Sequence, residues 1–421
     1  MAEITHGDYR IYLSTDCIYL QHLSYSKILA IEKFSSNIYE TEQDVLNKIV
    51  IYGAVKPHAI LGIMKIFSMD FLVYVKSCQP VGYLEDAEIF KIKETELIPI
   101  ADDVTINNMS ADLKSYVNGI KNLMALGFFY SFHYDLTNSR QKQGKNRSSD
   151  LFNSADRKFF WNFNLYKKFA SNEKKSINKI WMVVCIFGYV GIALQSIANN
   201  DVSLILISRR SIYHAGTRYN TRGIDDEGHV ANYVETEQII KISNHVLSFV
   251  QIRGSAPIFF QQTGMTAQTQ ITRIPEMTSP AFLRHVEEIQ KDFQMVFFVN
   301  LMNTTKPNEQ IITQNLENQI KINNLKSCRY YFFDFQNECK YDNYDKIDAF
   351  INSMESVFNI FKFFCEDTVS GEIHKEQSGI IRTNCLDCLD RTNVIQTRLA
   401  WRMLEIQVSL DIFIKYFSLT S

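Results

Sequence analysis

The stretch GIIRTNCLDCLDRTN, residues 379–393, constrains the fold more than any other part of this sequence. Its first part has the apolar, β-branched composition of a short strand. Its last part begins a helical pattern whose apolar face consists of Ile395, Leu399, Met403 and Ile406. The two cysteines and two aspartates of CLDCLD therefore occupy a turn between a strand and a helix.

Strand and helix patterns alternate in the part of the chain that follows residue 180. QMVFFVNLM and CRYYFFDF have the apolar composition of buried strands. Between residues 346 and 361 apolar side chains recur at helical spacing, namely Ile347, Phe350, Ile351, Met354, Phe358 and Phe361. This alternation predicts an α/β layer architecture for the part of the chain that contains the cysteine turn.

Residues 1–170 have a different pattern, in which short apolar runs alternate with polar turns. AILGIMKIF and FLVYVKSC are typical of strands, and SADLKSYVNGIKNLM is typical of a helix with Ser110 as its N-cap. The polar, glycine-containing stretch 138–150 is predicted to be a loop. We therefore expect an α+β subdomain before the α/β one.

The polar stretch SNEKKSINK, residues 171–179, is the best candidate for a linker, because an apolar run follows it directly. We predict a boundary there between an N-terminal subdomain, residues 1–178, and a catalytic subdomain, residues 179–421. The apolar run 180–194 is about 15 residues long, short of the roughly 20 that cross a bilayer. It is therefore predicted to form one or two buried strands, and no transmembrane segment is expected.

Charge and cysteine usage limit the functions open to the chain. The formal net charge is −2, so no global basic field favours nucleic acid, and any anion site must be built locally. The 8 cysteines are scattered, apart from Cys385 and Cys388, which indicates a reducing compartment rather than a disulfide framework. The N-terminus lacks the basic and apolar regions of a signal peptide.

The cysteine turn has the chemistry of a phosphate-binding nucleophile. Backbone N–H groups at a helix N-terminus bind phosphate, and the same field stabilises a cysteine thiolate. Five residues separate Cys385 from Arg391, so the loop can bring sulfur and guanidinium to one phosphate. Thr392 would donate its hydroxyl to the thiolate. The pattern predicts attack by Cys385 on phosphorus, followed by hydrolysis of a phosphocysteine.

Two aspartates, Asp387 and Asp390, are candidates for the acid that protonates the leaving oxygen. Both lie inside the loop, and the sequence leaves the choice between them open.

Two other interpretations of the cysteine pair are weaker. A zinc half-site would need further ligands such as Cys365 and His374, and the aspartates and arginine of the loop would have no role in it. A thioredoxin-like redox pair is disfavoured because the two cysteines follow a strand late in the chain, with no Trp or Pro beside them.

A cluster of arginines upstream of the loop offers local positive charge for a polyanionic ligand. Its members are Arg209, Arg210, Arg218 and Arg222, with Arg253 further on. The arginines could instead pair with acids of the same segment, which are Asp225, Asp226, Glu227, Glu235 and Glu237. The residues expected to bind substrate are Arg209, Arg218, Arg222 and Arg253.

Several segments resemble the Sac-domain phosphoinositide phosphatase family. The run from Arg382 to Asn393, RTNCLDCLDRTN, is similar to the family signature R-x-N-C-x-D-C-L-D-R-T-N. Residues 208–240 resemble its central block, and residues 248–262 resemble its Q-x-R-G-S-x-P segment, with Phe260 where Trp is usual. FFYSFHYDLTNS and FFWN, in the first half of the chain, resemble further landmarks, so the likeness extends from about residue 50 to the C-terminus.

The resemblance implies a Sac-specific N-terminal subdomain, an α/β catalytic subdomain and removal of phosphate from inositol lipids, often phosphatidylinositol 4-phosphate. It implies no metal ion or other cofactor. The expected partner is a lipid headgroup at the cytoplasmic face of an intracellular membrane, such as the endoplasmic reticulum or Golgi. The loop and its lead-in are expected to contact this headgroup, through Arg382, Asn384, Leu386, Cys388, Leu389 and Asn393.

Two rival functions stay open. A catalytically weak Sac module could bind phosphoinositides without turning them over, and a protein tyrosine phosphatase would share the Cys-x5-Arg spacing. Membrane-integral members of the family carry hydrophobic anchors after the catalytic domain. A chain that stops at Ser421 is expected to be a C-terminally shortened form, a fragment or a peripheral member.

Overall fold

The computed structural model describes residues 8–146, 150–170, 179–197, 200–216, 221–262, 268–340, 344–386 and 389–418. The chain divides into two compact units. The first consists of Met1–Asn138 and Ser148–Ile192, and the second of Ser139–Arg147 and Ala193–Ser421. The predicted linker at 171–179 lies outside the described residues except for its last residue. The strand after it belongs to the first unit up to Ile192, so this division differs from the predicted boundary at 178/179.

The first unit contains an antiparallel sheet near the start of the chain. Its strands are β1 (Tyr9–Ser14), β2 (Cys17–His22), β3 (Lys27–Glu32), β4 (Ile38–Glu42) and β5 (Ile51–Val55). They are ordered β4-β3-β2-β1-β5. A 3-10 turn at Gln43–Asn47 joins β4 to β5.

A second antiparallel ladder of the first unit has the order β6-β7-β8-β9-β10. Its strands are β6 (Ala59–Ile66), β7 (Met69–Leu84), β8 (Ala87–Pro99), β9 (Phe128–Ser131) and β10 (Cys185–Ile197). The strands predicted from AILGIMKIF and FLVYVKSC are confirmed as β6 and part of β7. The apolar run after the linker is also confirmed as strand, because it supplies β10 after a 3-10 turn at Lys179–Trp181.

Short helices accompany these strands: α1 (Asp103–Asn107), α2 (Ala111–Met124), α3 (Arg140–Lys145), α4 (Leu151–Ser154) and α5 (Phe163–Ala170). The predicted helix α2 and its cap are confirmed, since the Ser110 hydroxyl accepts a hydrogen bond from the backbone N–H of Leu113 at 3.2 Å. Helix α3 belongs to the second unit.

The prediction of a loop at 138–150 is wrong for its middle part, which forms α3. The Ser139 side chain caps this helix by accepting a hydrogen bond from the Lys142 N–H. Arg140 ties the helix to the second unit, because its backbone N–H donates to Glu237 at 2.7 Å and its guanidinium pairs with Glu366 at 3.1 Å. These partners are distant in sequence, so composition did not indicate them.

The second unit is built on strands β11 (Asn200–Arg210), β12 (Val234–Ile242), β13 (His245–Arg253), β14 (Phe260–Gln261), β15 (Gln270–Ile271), β16 (Met295–Asn300), β17 (Cys328–Phe332), β18 (Phe364–Asp367), β19 (Ile373–Lys375) and β20 (Gly379–Asn384). The main ladder has the order β17-β16-β20-β13-β12-β11. Strand β20 is parallel to both β13 and β16, and β16 is parallel to β17. The other pairs are antiparallel, and β13 also pairs with β18, which pairs with β19.

Helices of the second unit are α6 (Pro275–Gln290), α7 (Pro307–Asn323), α8 (Phe335–Glu338), α9 (Asp345–Ser353), α10 (Glu355–Phe361) and α11 (Asp390–Ser418). Helices follow β16, β17 and β20, the three parallel strands at this end of the sheet, and the predicted α/β class is confirmed. The pattern at 346–361 forms two helices, because backbone bonds of the i→i+3 type at Met354 interrupt the α-helical ladder.

The core of the second unit contains the predicted apolar face of α11. Ile395, Leu399 and Met403 are fully buried against residues of β13, β16 and β20 and of α9 and α10. Full burial of one such side chain contributes about 1.5–3 kcal/mol, so this face fixes α11 beside β20. Within the described part of the chain, no helix is both long enough and apolar enough to cross a membrane.

Candidate active site

The cysteine turn CLDCLD, which we call the cysteine loop, begins where the parallel strands of the second unit end. Cys385 directly follows β20, Leu301 directly follows β16, and Arg253 is the last residue of β13. In the ladder, Asn300 pairs with Asn384 and Arg253 pairs with Thr383, so these carboxyl ends are level. The carboxyl ends of parallel strands are where α/β folds commonly bind ligands.

The turn into α11 is organised around Leu389. Its carbonyl accepts hydrogen bonds from the backbone N–H of Asn393 at 2.8 Å and from the Thr392 hydroxyl at 2.9 Å. The Thr392 hydroxyl thus donates to a backbone carbonyl of its own turn, whereas the sequence predicts donation to the Cys385 thiolate. Cys385 itself is 2% exposed and packs with the apolar core beneath the loop.

Arg391 is held in place by a buried carboxylate. Its Nη1 and Nη2 donate to Oε2 and Oε1 of Glu309 at 2.6 and 3.0 Å, a bidentate ion pair. Nη1 also donates to the carbonyl of Leu301 at 3.1 Å. The side chains of Arg391 and Glu309 are only 14% and 4% exposed, so the orientation of the guanidinium is strongly constrained.

Glu309 owes its position to the loop that joins β16 to α7. It lies in the first turn of α7, which has Pro307 at its start, where an acidic side chain is favoured by the helix dipole. Its Oε2 also accepts the backbone N–H of Asn303 at 2.7 Å. Asp334 holds the same loop by accepting the backbone N–H of Thr304 at 2.8 Å. Glu309 is therefore held in place by contacts that do not involve Arg391.

Arg222 reaches the cysteine loop from the central block. Its Nη1 donates to the carbonyl of Leu386, the residue after Cys385, at 2.8 Å. The next residue, Gly223, has φ +68 and donates its N–H to Ser255 Oγ at 2.9 Å. A Cβ at Gly223 would lie 2.5 Å from the Ile258 carbonyl, so this close approach requires glycine. The arginine-rich block and the R-G-S segment are thereby fixed to each other next to the loop.

Two residues of the lead-in, Arg382 and Asn384, are fully buried. The Arg382 Nη2 donates to the carbonyl of Ser255, and its guanidinium carbon lies 5.6 Å from the centre of the Phe298 ring. The Asn384 amide donates to Asn300 Oδ1 at 2.8 Å. These contacts join β20 to β16 and to the segment after β13. They therefore fix the position of the residues that directly precede Cys385.

Arg209 lies in a buried ionic network. Its Nη1 is 3.2 Å from Glu235 Oε1 and its Nη2 is 2.5 Å from Glu237 Oε2. Glu237 also accepts the hydroxyl of Ser248 at 2.6 Å. Arg209 has no exposed surface, so its contacts favour a structural role over the predicted contact with a headgroup.

We expect Arg209→Met to destabilise the protein by about 3–5 kcal/mol, because two buried carboxylates lose their common cation. Urea unfolding followed by circular dichroism measures this change. The matched control is Arg398→Met, since Arg398 forms an exposed pair with Asp348 at 3.8 Å and its loss should cost less than about 1 kcal/mol. Equal stabilities of the two variants would contradict a structural role for Arg209.

The remaining predicted residues differ in exposure. Asp390 and Asn393 are exposed in the first turn of α11, and Leu386, Leu389 and Arg253 are half-buried. Three predicted residues, Arg218, Asp387 and Cys388, lie outside the described residues.

Sequence reasoning missed Glu309, Asn300 and Ser255. Asn300 ends β16, Ser255 lies two residues after the end of β13, and Glu309 lies in the first turn of the helix that follows β16. Both strands are parallel to β20. A signal was present, because the polar run NTTKPNE follows the buried strand QMVFFVNLM. Recognising it requires knowing that this strand is the neighbour of β20.

Comparison with known proteins gives evidence about the family of this chain that does not depend on the geometry of the site. The model of the SacI homology domain matches residues 58–340. Synaptojanin-1 of Mus musculus is 31% identical over 362 residues, which are 83% of this chain and 22% of that protein. Phosphatidylinositide phosphatase SAC2 of Danio rerio is 33% identical over 310 residues, 67% of this chain and 27% of that protein.

Phosphatidylinositol-3-phosphatase SAC1 of Saccharomyces cerevisiae is 30% identical over 366 residues, which are 83% of this chain and 58% of that protein. The chain thus spans less than two thirds of the length of each of these three relatives.

Proposed function

Because this chain belongs to the SacI homology domain family, we propose that it is a phosphoinositide phosphatase that removes a monoester phosphate from the inositol ring of a membrane lipid. Two relatives are named phosphatidylinositide phosphatase and phosphatidylinositol-3-phosphatase. The observation that supports the proposal most is the position of Cys385, between the carboxyl end of β20 and the N-terminus of α11, with Arg391 fixed in the first turn of that helix.

The proposed reaction has two steps. In the first, the Cys385 thiolate attacks phosphorus, a sulfur–phosphorus bond forms, and the bond from phosphorus to the ring oxygen breaks. The leaving oxygen takes a proton from Asp390 or Asp387. In the second, water attacks the phosphocysteine and gives a proton back to the same aspartate, the sulfur–phosphorus bond breaks, and inorganic phosphate and the free thiolate are released. The proposed chemistry requires no metal ion or other cofactor.

Arg391 is proposed to stabilise the phosphoryl group in both steps. A guanidinium can bind one carboxylate at its Nη1/Nη2 end while it binds a second anion along its Nε/Nη2 edge. Glu309 lies at the Nη1/Nη2 end. It would therefore orient the other edge toward phosphate and limit the rotation of the side chain. Such fixed donors stabilise charge in a transition state without reorganising.

Arg222 is proposed to act on the shape of the loop. Its Nη1 donates to the Leu386 carbonyl. We propose that this bond keeps that oxygen away from a bound phosphate, so that backbone N–H groups can face the anion. Arg253, at the end of β13, and Arg218 are proposed to bind further phosphates of the headgroup. Because the substrate is a lipid, we propose that the chain acts at the cytoplasmic face of an intracellular membrane.

Phosphatidylinositol 4-phosphate is the proposed substrate on the basis of the family resemblance. Phosphatidylinositol 3-phosphate is the second candidate, because the relative in Saccharomyces cerevisiae is named a phosphatidylinositol-3-phosphatase.

The test is inorganic phosphate release from short-chain phosphatidylinositol 3-, 4- and 5-phosphate and from the bisphosphates, with a phosphotyrosine peptide in parallel. We expect the 4-phosphate to be hydrolysed fastest. Faster hydrolysis of the 3-phosphate would change the proposed substrate and leave the proposed reaction intact. Faster hydrolysis of the peptide would favour a protein tyrosine phosphatase.

One observation favours a lipid-binding module with little turnover. Cys385 is almost fully buried, and a phosphate must reach its sulfur for the reaction to occur. Saturable binding of phosphoinositide liposomes without phosphate release from any lipid of the panel would support this alternative.

We expect Glu309→Gln to lower kcat by about 10- to 100-fold with a smaller change in KM, because a neutral amide constrains Arg391 less than a carboxylate does. Steady-state kinetics on the preferred lipid measures both constants. Glu317→Gln, a half-buried glutamate on the same helix, is the matched control and should leave kcat unchanged. A pure rise in KM for Glu309→Gln would contradict a positioning role.

A further inference from the structure

A second cluster of chemically active side chains lies in the second unit, away from the cysteine loop. It consists of His245 at the start of β13, Asp367 at the end of β18 and His374 in β19. One possible ligand atom from each residue lies within 4.8 Å of those of the other two. We propose that His245, Asp367 and His374 bind one Zn²⁺ ion, which joins the β18–β19 hairpin to β13.

The strand registers bring the three residues together. His245 and Asp367 are direct partners in the antiparallel pairing of β13 with β18. In the pairing of β18 with β19 the register shifts, since Cys365 opposes Lys375 and Glu366 opposes Ile373. His374 is therefore the extra residue of a β-bulge. A bulge redirects the side chain of its extra residue, which accounts for His374 lying beside the other two.

Asp367 is held in an orientation that suits a metal ligand. Its Oδ1 accepts the backbone N–H groups of Val369 and Ser370, both at 2.8 Å. Its Oδ2 faces His245 Nε2 at 3.9 Å. One oxygen thus fixes the carboxylate in the turn while the other faces His245. Hydrogen bonds of this kind orient the ligands of metal sites.

The turn that carries Asp367 is itself tied to β13. The backbone N–H and the hydroxyl of Thr368 both donate to the carbonyl of Asn244, at 2.7 and 2.9 Å. Asn244 precedes His245 directly, so the two ligand-bearing segments are joined by hydrogen bonds one residue away from the ligands. The cluster is therefore built on a fixed framework.

The distances within the cluster suit side chains that share a bound ion better than side chains that are hydrogen-bonded to each other. At 3.9 Å, His245 Nε2 and Asp367 Oδ2 are too far apart for a hydrogen bond. Two ligands of one tetrahedral zinc ion lie about 3.3 Å apart, because each bond is about 2.0–2.1 Å long. Small side-chain rotations would bring the three atoms to that spacing. His374 Nδ1 also lies 3.9 Å from Glu372 Oε1, which offers a carboxylate as fourth ligand or as hydrogen-bond acceptor for the ring.

The donor set indicates the metal. Two imidazoles and a carboxylate suit Zn²⁺, whereas Mg²⁺ and Ca²⁺ prefer oxygen ligands alone. The side chains of His245, Asp367 and His374 are 21%, 23% and 35% exposed, so an ion can reach them from solvent.

The position of the cluster gives the ion a structural role. His245 and Arg253 stand at opposite ends of β13, and eight steps of about 3.4 Å separate them by about 27 Å. Cys385 follows the strand that is parallel to β13 at its Arg253 end. An ion at His245 would therefore stabilise the sheet that carries the loop without contacting the substrate.

The test is isothermal titration of the full chain with ZnCl₂, and with MgCl₂ for comparison, together with the thermal unfolding midpoint. We expect one saturable zinc site, a rise in the midpoint with zinc alone, and a loss of affinity of more than about tenfold in His374→Ala and Asp367→Asn. His58→Ala, which removes an imidazole from the first unit, is the matched control and should bind zinc like the unaltered chain.

Replacement of zinc by Co²⁺ distinguishes this site from a site in which cysteine thiolates bind the metal. Co²⁺ bound by nitrogen and oxygen gives no thiolate-to-metal charge-transfer band. Unchanged zinc affinity in both ligand variants, no zinc uptake at all, or a strong thiolate band would each overturn the proposal.

Discussion

Replacement of Cys385 by serine is expected to abolish phosphate release from inositol lipids, with a loss of at least about 10³-fold. A serine hydroxyl is not ionised at neutral pH, so it is a far weaker nucleophile than the thiolate that the helix N-terminus favours at this position. The helix N-terminus and Arg391 remain, so binding of phosphoinositide liposomes should be retained. Phosphate release and liposome sedimentation, measured on the same preparation, check the two halves of this expectation.

Cys365→Ser is the matched control, because Cys365 is equally buried in the same core and lies outside the loop. It should show the same small change in stability as Cys385→Ser and retain turnover. Turnover by Cys385→Ser within about tenfold of the unaltered chain would exclude Cys385 as the nucleophile.

Arg391→Lys is expected to reduce kcat by about 10²–10³-fold, although the positive charge is kept. An ammonium group is a point charge and cannot bind Glu309 and a phosphate at two edges of one planar group. The bidentate contact with Glu309 and the bond to the Leu301 carbonyl would both be lost or weakened. Steady-state kinetics on the preferred lipid, with inorganic phosphate as a competitive inhibitor, measures the effect.

The matched control is Arg398→Lys, two turns further along α11, where the arginine forms an exposed ion pair. Its turnover should equal that of the unaltered chain. If Arg391→Lys kept turnover within about threefold of this control, the proposed double contact of the guanidinium would be wrong.

Local pattern was sufficient to predict the elements around the loop. The strand β20, the turn after it and the buried face of α11 follow from β-branched composition and from apolar residues at helical spacing, namely Ile395, Leu399 and Met403. Ser110 likewise capped α2 as expected, because an N-cap depends on residues within one turn.

Tertiary contacts decided where local pattern failed. Helix α3 formed in a polar stretch because Glu237 and Glu366, about 100 and 230 residues away, hold Arg140 at its start. The stripe at 346–361 predicted its buried side correctly, yet the tight backbone bonds at Met354 divided it into two helices. Spacing alone does not distinguish one continuous helix from two short ones that share a face.

The support of the candidate site could not be predicted for the same reason. Glu309 and Arg391 are 82 residues apart, and only the parallel pairing of β16 with β20 makes their helices neighbours. Arg209 and Arg222 belong to one arginine-rich segment, yet one is buried with two glutamates while the other binds the loop. Their roles depend on the face of the sheet and the turn that each occupies, which a single sequence does not specify.

Detection of a phosphocysteine is the most direct test of the central claim. The chain is mixed with its preferred inositol lipid, quenched within milliseconds, and digested for mass spectrometry of the peptide that contains Cys385. We predict that one phosphoryl group is found on Cys385 during turnover and is absent from Cys385→Ser. Rapid phosphate release with no phosphorylated Cys385, or the same modification on Cys385→Ser, would contradict the account.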